Sequence, residues 1–199
     1  MNYAAEPASS EARERVLAVA EELFAARGYA AVTLRDIAGR VGIRQASLYH
    51  HVPGGKEQLF VEVTERGLER HRLGLEGAIA EAEPSLRPQL RAAARWLLGQ
   101  PPINLARLVR SDLPAIAPAH ADRLVHASYR ALLAPLEGAF VAAQQRGEVV
   151  LPHPTLVSGS FLSIVEGIHD AGGGRVVVRA KDVMADEMID VLLDGLHPR

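Results

Sequence analysis

An all-α fold is predicted by three observations. Apolar residues recur at spacings of three and four along most of the 199 residues, no run sustains period-two alternation, and proline and glycine punctuate the periodic stretches. A composition of 48% hydrophobic and 23% charged residues suits one good-sized domain or two small ones with a real core. Val176-Val177-Val178 is too short for a sheet and reads as extended chain after a flexible Gly172-Gly173-Gly174-Arg175 connection.

Residues 1–9 are expected to form a disordered tail, with Ser10 as the N-cap of a helix running to about Arg27. Val16, Leu17, Ala20, Leu23 and Phe24 make one apolar stripe on it, and Gly28 suits the position that ends it. Thr33-Leu34-Arg35-Asp36 reads as a capping box opening a short second helix, with Asp36 in the Glu/Gln place. Gly42 ends that helix, a third follows from about Arg44 to His51, and Pro53-Gly54-Gly55 breaks the chain again. Further helices are expected near 56–82, 86–99, 103–112, 119–146, 153–171 and 180–196, with a kink at Pro135 inside the fourth of these.

Charge and composition narrow the function. Twenty-two basic against 24 acidic residues give a net charge of −2, which excludes a uniformly basic DNA-coating protein. Without cysteine there is no disulfide framework, zinc finger, iron–sulfur cluster or thiol nucleophile. The start MNYAAEPASSEARER has no apolar leader, and the charge-free run Val149–Val165 is too short and polar to span a bilayer, so a soluble cytoplasmic protein with no membrane partner is expected.

The second and third helices, joined by Gly42-Ile43, have the helix-turn-helix form. Ile37, Ala38, Val41, Ile43 and Leu48 are placed to lock the pair together. Arg44, Gln45, Ala46, Ser47, Tyr49 and His50 are left as a reading face on the third helix. Gln can pair bidentately with adenine, Arg with guanine, and Ser with several bases. Between residues 27 and 56, Arg27, Arg35, Arg40, Arg44 and Lys56 stand against Asp36, a local charge of +4. That asymmetry turns this end towards phosphates.

The run Leu17, Ala20, Leu23, Phe24, Gly28, Tyr29, Val32, Thr33, Ile37, Ala38, Val41, Gly42, Ile43 resembles the DNA-binding domain of TetR-type transcriptional regulators. The likeness continues through Ser47-Leu48-Tyr49-His50-His51-Val52 and Lys56, Glu57, Leu59 and Phe60, covering about the first third of the chain. It implies a homodimer that binds a palindromic operator in double-stranded DNA through residues 10–55. Residues 56–199 would form a helical domain for effector binding and dimerisation, with no cofactor and no catalytic residue. By the same resemblance, Thr33 and Arg35 match positions touching the DNA backbone or adjacent bases, and Gln45, Ala46 and Ser47 match base-reading positions. Tyr49 and His50 match contacts to phosphate or base edges, and Lys56 matches a phosphate-binding lysine. Two departures stand out: Arg44 replaces a frequent capping serine, and the Pro53-Gly54-Gly55 turn is one residue longer than the commonest form.

The C-terminal two-thirds are less explicit. Gly159, Ser163 and Gly167 fall at four-residue intervals on one helical stripe, which permits close approach of another helix within the chain or across a dimer axis. The resemblance favours the dimer, and by it Met184, Met188 and Val191 on the last helix would supply the other half of the interface. Trp96, Leu108, Tyr129, Leu133, Leu136, Phe140, Phe161 and Val165 are large enough to line an effector pocket, with core packing as the alternative for each. Arg107, Arg110, His126, Glu166 and His169 are the polar candidates beside them. Glu166-Gly167-Ile168-His169 is half of a di-iron motif, but no second Glu-x-x-His occurs, and Asp122 with His126 is the other paired candidate. No metal site is expected. The rival readings are a helical-bundle enzyme or metal protein with a DNA-binding-like N-terminus, and an activator in place of a repressor.

Overall fold

The computed structural model describes residues 6–101, 103–171 and 179–194, all in helices and their connections, with no strand among them. The expected flexible connection at 172–175, the extended valines and residues 1–5 of the expected tail lie outside the described residues. The chain divides into two compact units. One holds the described residues up to Gly67 with Asn104–Val125, and the other holds Leu68–Ile103 with the described residues from His126 onward.

In the first unit, α1 (Glu6–Ala31) starts earlier than predicted. Residues 6–9 are helical and Ser10 is not a cap, because Pro7 falls in the first turn, where its missing N–H costs nothing and its fixed φ favours the helix. Val16, Leu17, Ala20 and Phe24 are buried along the predicted stripe. The helical path breaks at Gly28 (φ 78°, ψ 169°). Helix α2 (Leu34–Val41) and helix α3 (Gln45–His51) follow, then α4 (Gly55–Glu81), whose first half buries Leu59, Phe60, Val61 and Val63. Phe24, Tyr29 and Phe60 cluster with ring centroids 5.0–6.3 Å apart. Paired charges link α1 to α4, Arg13 to Glu62 and Arg66 to Glu14, each at 2.7 Å.

The single helix expected at 103–112 is instead a succession: α6 (Leu105–Arg107), a π turn (Leu108–Asp112) and a 3-10 turn (Leu113–Ala115). Pro114 is the reason. A proline within a helix has no N–H to give and crowds the carbonyl four residues back, so the preceding ladder widens. The same happens before Pro135. Helix α7 (Pro118–Ser128) passes through a π turn (Tyr129–Leu133) into α8 (Ala134–Gln145), so the irregularity expected at Pro135 takes the form of a wide turn just ahead of it. Each π turn ends two residues before its proline, closed by an N–H bonding five residues back: Leu113 to Leu108 and Ala134 to Tyr129.

The second unit contains α5 (Leu86–Gly99), α8, α9 (Pro154–Ala171) and α10 (Lys181–Asp194) with the later part of α4. Leu90, Leu136, Phe140 and Phe161 are among its most buried side chains. Gly74 admits the Trp96 ring so closely that a Cβ there would stand 1.9 Å from ring carbons. Helix α5 is started by a distant acid: Glu148 accepts the Leu86 N–H at 2.7 Å where Ser85 supplies no side-chain bond. Arg87 and Arg91 face Asp186 and Asp190 of α10.

Candidate nucleic-acid interface

The helix pair α2–α3 is closed at each end by local chemistry. Thr33 Oγ1 accepts the Asp36 N–H at 3.2 Å while Asp36 accepts the Thr33 N–H at 2.8 Å, so the predicted capping box is formed in both directions. The Thr33 hydroxyl and then its N–H hold the Asp36 carboxyl below the usual range. Gly42 (φ 82°) adopts the left-handed conformation and returns its N–H to the Ala38 carbonyl at 3.0 Å. Ile37 and Leu48 are fully buried, Ala38 nearly so, and Val41 and Ile43 are half-buried.

On this support, Arg44, Gln45, Ala46, Ser47, Tyr49 and His50 are all exposed, as are Thr33 and Arg35. Arg44 stands at the N-cap with no side-chain capping bond, which leaves its guanidinium outside the helix's own hydrogen bonding. The arrangement is thin and polar outward, with Leu48 anchored behind it. Lys56 lies in the first turn of α4, with Nζ 4.2 Å from the centre of the Tyr29 ring, a cation–π contact. Partial burial lowers the pKa of Lys56 and, with Glu57 adding to it, raises that of Tyr29. The sequence pattern singled out Tyr29 only as part of a run. The ring's role as a platform for Lys56 was signalled by nothing more than an aromatic residue directly after the helix-ending Gly28.

The residues proposed for an effector pocket do not come together as expected. Arg107 belongs to the first unit, where its guanidinium donates to the carbonyls of Phe24 (3.1 Å) and Ala25 (2.7 Å); its five donors are what the open end of α1 lacks. His126 and Arg110 are exposed, and so is Tyr129, whose hydroxyl donates to Glu137 at 2.8 Å. Phe140, Phe161, Val165 and Leu136 are buried core, Leu108 is buried in the first unit, and Leu133 is half-buried. Trp96 is half-buried against Gly74, with its indole N–H buried and unbonded. His169 bonds the Gln100 carbonyl through Nε2 at 3.1 Å and faces the Lys181 ammonium through Nδ1 at 3.4 Å, while Glu166 is half-buried beside it on α9. A cleft of about 330 Å³ in this unit is lined instead by residues such as Ile79, Gln89, Pro135 and Ala139. No group of three or more metal-ligating side chains occurs among the described residues.

Of the expected dimer residues, Ser163, Gly167, Met188 and Val191 are exposed and Gly159 and Met184 half-exposed. A Cβ on Gly167 would meet nothing within 4 Å.

Residues 16–63 match the family of bacterial regulatory proteins, tetR family. The transcriptional regulator LmrA of Bacillus subtilis is 44% identical over 52 residues, 26% of this chain and 28% of LmrA. The transcriptional repressor KstR2 of Mycolicibacterium smegmatis is 48% identical over 58 residues, 29% of this chain and 27% of KstR2. The matched stretch thus spans little more than a quarter of either relative. Over nearly the whole length the fold is similar to that of AibR, solved in complex with isovaleryl coenzyme A and operator DNA: TM-score 0.74 at 23% identity, covering 92% of this chain and 98% of that one. Over residues 16–63, the N-terminal helices of this chain are thus similar to the tetR family of bacterial regulatory proteins.

Proposed function

We propose that the chain is a homodimeric, ligand-responsive transcriptional repressor that holds a palindromic operator through α2, α3 and the start of α4. One observation carries this reading: six side chains of one short helix and its cap stand exposed while Leu48, in their midst, is fully buried. Gln45, Ala46 and Ser47, with Arg44, read base edges in the major groove, and Thr33, Arg35, Tyr49, His50 and Lys56 hold phosphates or groove edges. Residues 10–55 serve as the DNA-binding part and 56–199 as the effector and dimer part.

The dimer forms through the outward faces of α9 and α10, where Gly159, Ser163 and Gly167 permit close approach and Met184, Met188 and Val191 supply apolar cover. Two copies of α3 then enter successive major grooves about 34–36 Å apart or a multiple of that. An effector that binds a differently spaced dimer more tightly by about 2–3 kcal/mol lowers operator occupancy accordingly. That the fold-alike AibR was solved with both an acyl coenzyme A and operator DNA supports looking for an organic effector here.

Equilibrium binding to a selected duplex across a salt series tests the reading. Gln45→Ala should relax base preference by about 1–3 kcal/mol at one position, and Lys56→Ala should weaken all duplexes and reduce the salt slope by about one. A Gln45→Ala chain with unaltered sequence preference would overturn the placement of the reading helix.

A further inference from the structure

The end of α1 is closed by residues that lie more than eighty positions further along the chain. Asp112, buried to 4% exposure, accepts the Tyr29 N–H at 2.7 Å, across 83 residues of sequence. Its other oxygen lies 3.5 Å from Arg107 Nε, and Arg107 Nη2 donates to the Phe24 and Ala25 carbonyls. Arg107 is itself seated by Asn104, whose side chain accepts the Arg107 N–H at 2.7 Å. Gly28 makes room for this arrangement: it takes a positive φ, and a Cβ there would come 3.0 Å from Asp112 Oδ1 and 3.2 Å from Arg107 Cδ.

What this clamp fixes is the residue that carries Lys56. The Tyr29 ring, packed against Phe24 and Phe60, is the surface over which the Lys56 ammonium lies. A shift of the Tyr29 backbone therefore moves the platform under the cation. We propose that Arg107 and Asp112 are positioning residues for DNA binding, holding the exit of α1 so that Tyr29 presents Lys56 to a phosphate. The proposal rests on the reading of the N-terminal unit as a DNA binder and extends it, because it places control of one phosphate contact in the segment 104–112. Opening the clamp, by whatever moves that segment, costs the protein a phosphate contact while leaving the base-reading face of α3 intact.

The test uses the full chain, a duplex it selects from a random pool, and titrations at several salt concentrations, alongside amide hydrogen exchange without DNA. In Asp112→Asn, exchange at the Tyr29 amide should quicken by about tenfold or more, because the charge that strengthened its bond is gone. Affinity should fall about tenfold and the salt slope by about one, as for Lys56→Ala, with base preference unchanged. The pair Asp112→Asn with Lys56→Ala should bind within about twofold of Lys56→Ala alone, whereas Asp112→Asn with Arg35→Ala should show the product of the single losses. Arg107→Lys, which keeps the charge but not the two-carbonyl fork, should give a smaller loss of the same kind in a chain that still melts cooperatively. Independent, multiplicative losses from Asp112→Asn and Lys56→Ala, or an unchanged Tyr29 amide, would overturn the positioning role while leaving the DNA reading in place. A wild-type chain that holds no duplex at any salt overturns the DNA reading and this role together.

Discussion

Helices α3 and α9 both leave a face uncovered, and the two faces differ in kind. On α3 the open side carries Gln, Ser, Tyr, His and, at its cap, Arg, each with hydrogen-bonding capacity beyond the helix's own needs. On α9 it carries Leu156, 65% exposed, with Ser160, Ser163 and Gly167, and the serine hydroxyls turn back to carbonyls four residues earlier. The first surface offers donors and acceptors to something polar. The second turns its serine hydroxyls back to its own carbonyls and, from Leu156 to Gly167, offers small and apolar shapes, which suits another protein surface. A polar face is legible as a site because its chemistry is unspent; an apolar face is legible only as something to be covered.

Four substitutions test this contrast. The largest concerns the support behind α3: Leu48→Ala should cost about 3 kcal/mol or more of stability in a chemical melt, since Leu48 is wholly buried, whereas Tyr49→Ala beside it should cost far less. Next, Leu156→Glu should weaken self-association by about 2–3 kcal/mol in analytical ultracentrifugation, through a charge desolvated against the partner's apolar face, with little effect on monomer stability. A smaller loss, about 1 kcal/mol, is expected for Thr33→Ala, which removes the acceptor for the Asp36 N–H at the start of α2.

The smallest effect is one of acid. Asp36 is held below its ordinary value by Thr33, and Glu57 by the Ala117 N–H and then by His120, at 2.9 and 2.6 Å. A carboxyl with a lowered folded-state pKa binds fewer protons than in the unfolded chain. Its contribution is therefore complete above the ordinary carboxylate value near about 4 and is lost as pH falls through the depressed one. Melts of Glu57→Gln and the parent should converge as pH drops below that range; a difference that persists at the acid end would assign the effect to packing.

The parts of the fold readable from sequence are those whose causes lie within a few residues. Thr33 and Asp36 are three apart, Gly42 ends its own helix, and Leu48 is surrounded in sequence by the residues it supports. The π turns before Pro114 and Pro135 show in the sequence only as helix and kink, because apolar periodicity does not register a ladder that widens by one residue. Arg107 reads from the sequence as an effector residue because an arginine near apolar helices invites it; its partners at Phe24 and Ala25 are 83 and 82 residues away, and no local pattern points to them. Asp112 was not singled out for the same reason. The start of α1 at Glu6 escapes the sequence pattern because Ser10 suits an N-cap, while Pro7 is equally suited to a first turn.

The most direct test is selection of bound duplexes from a random DNA pool at near-physiological salt, performed on the purified chain and again after unfolding and refolding to strip any small molecule. Enrichment of a palindrome with two half-sites about one helical turn apart, or a multiple of it, is the predicted result, and the preference at one position of each half-site should relax in Gln45→Ala. Weak, salt-sensitive binding with no enriched sequence in either preparation would contradict the account.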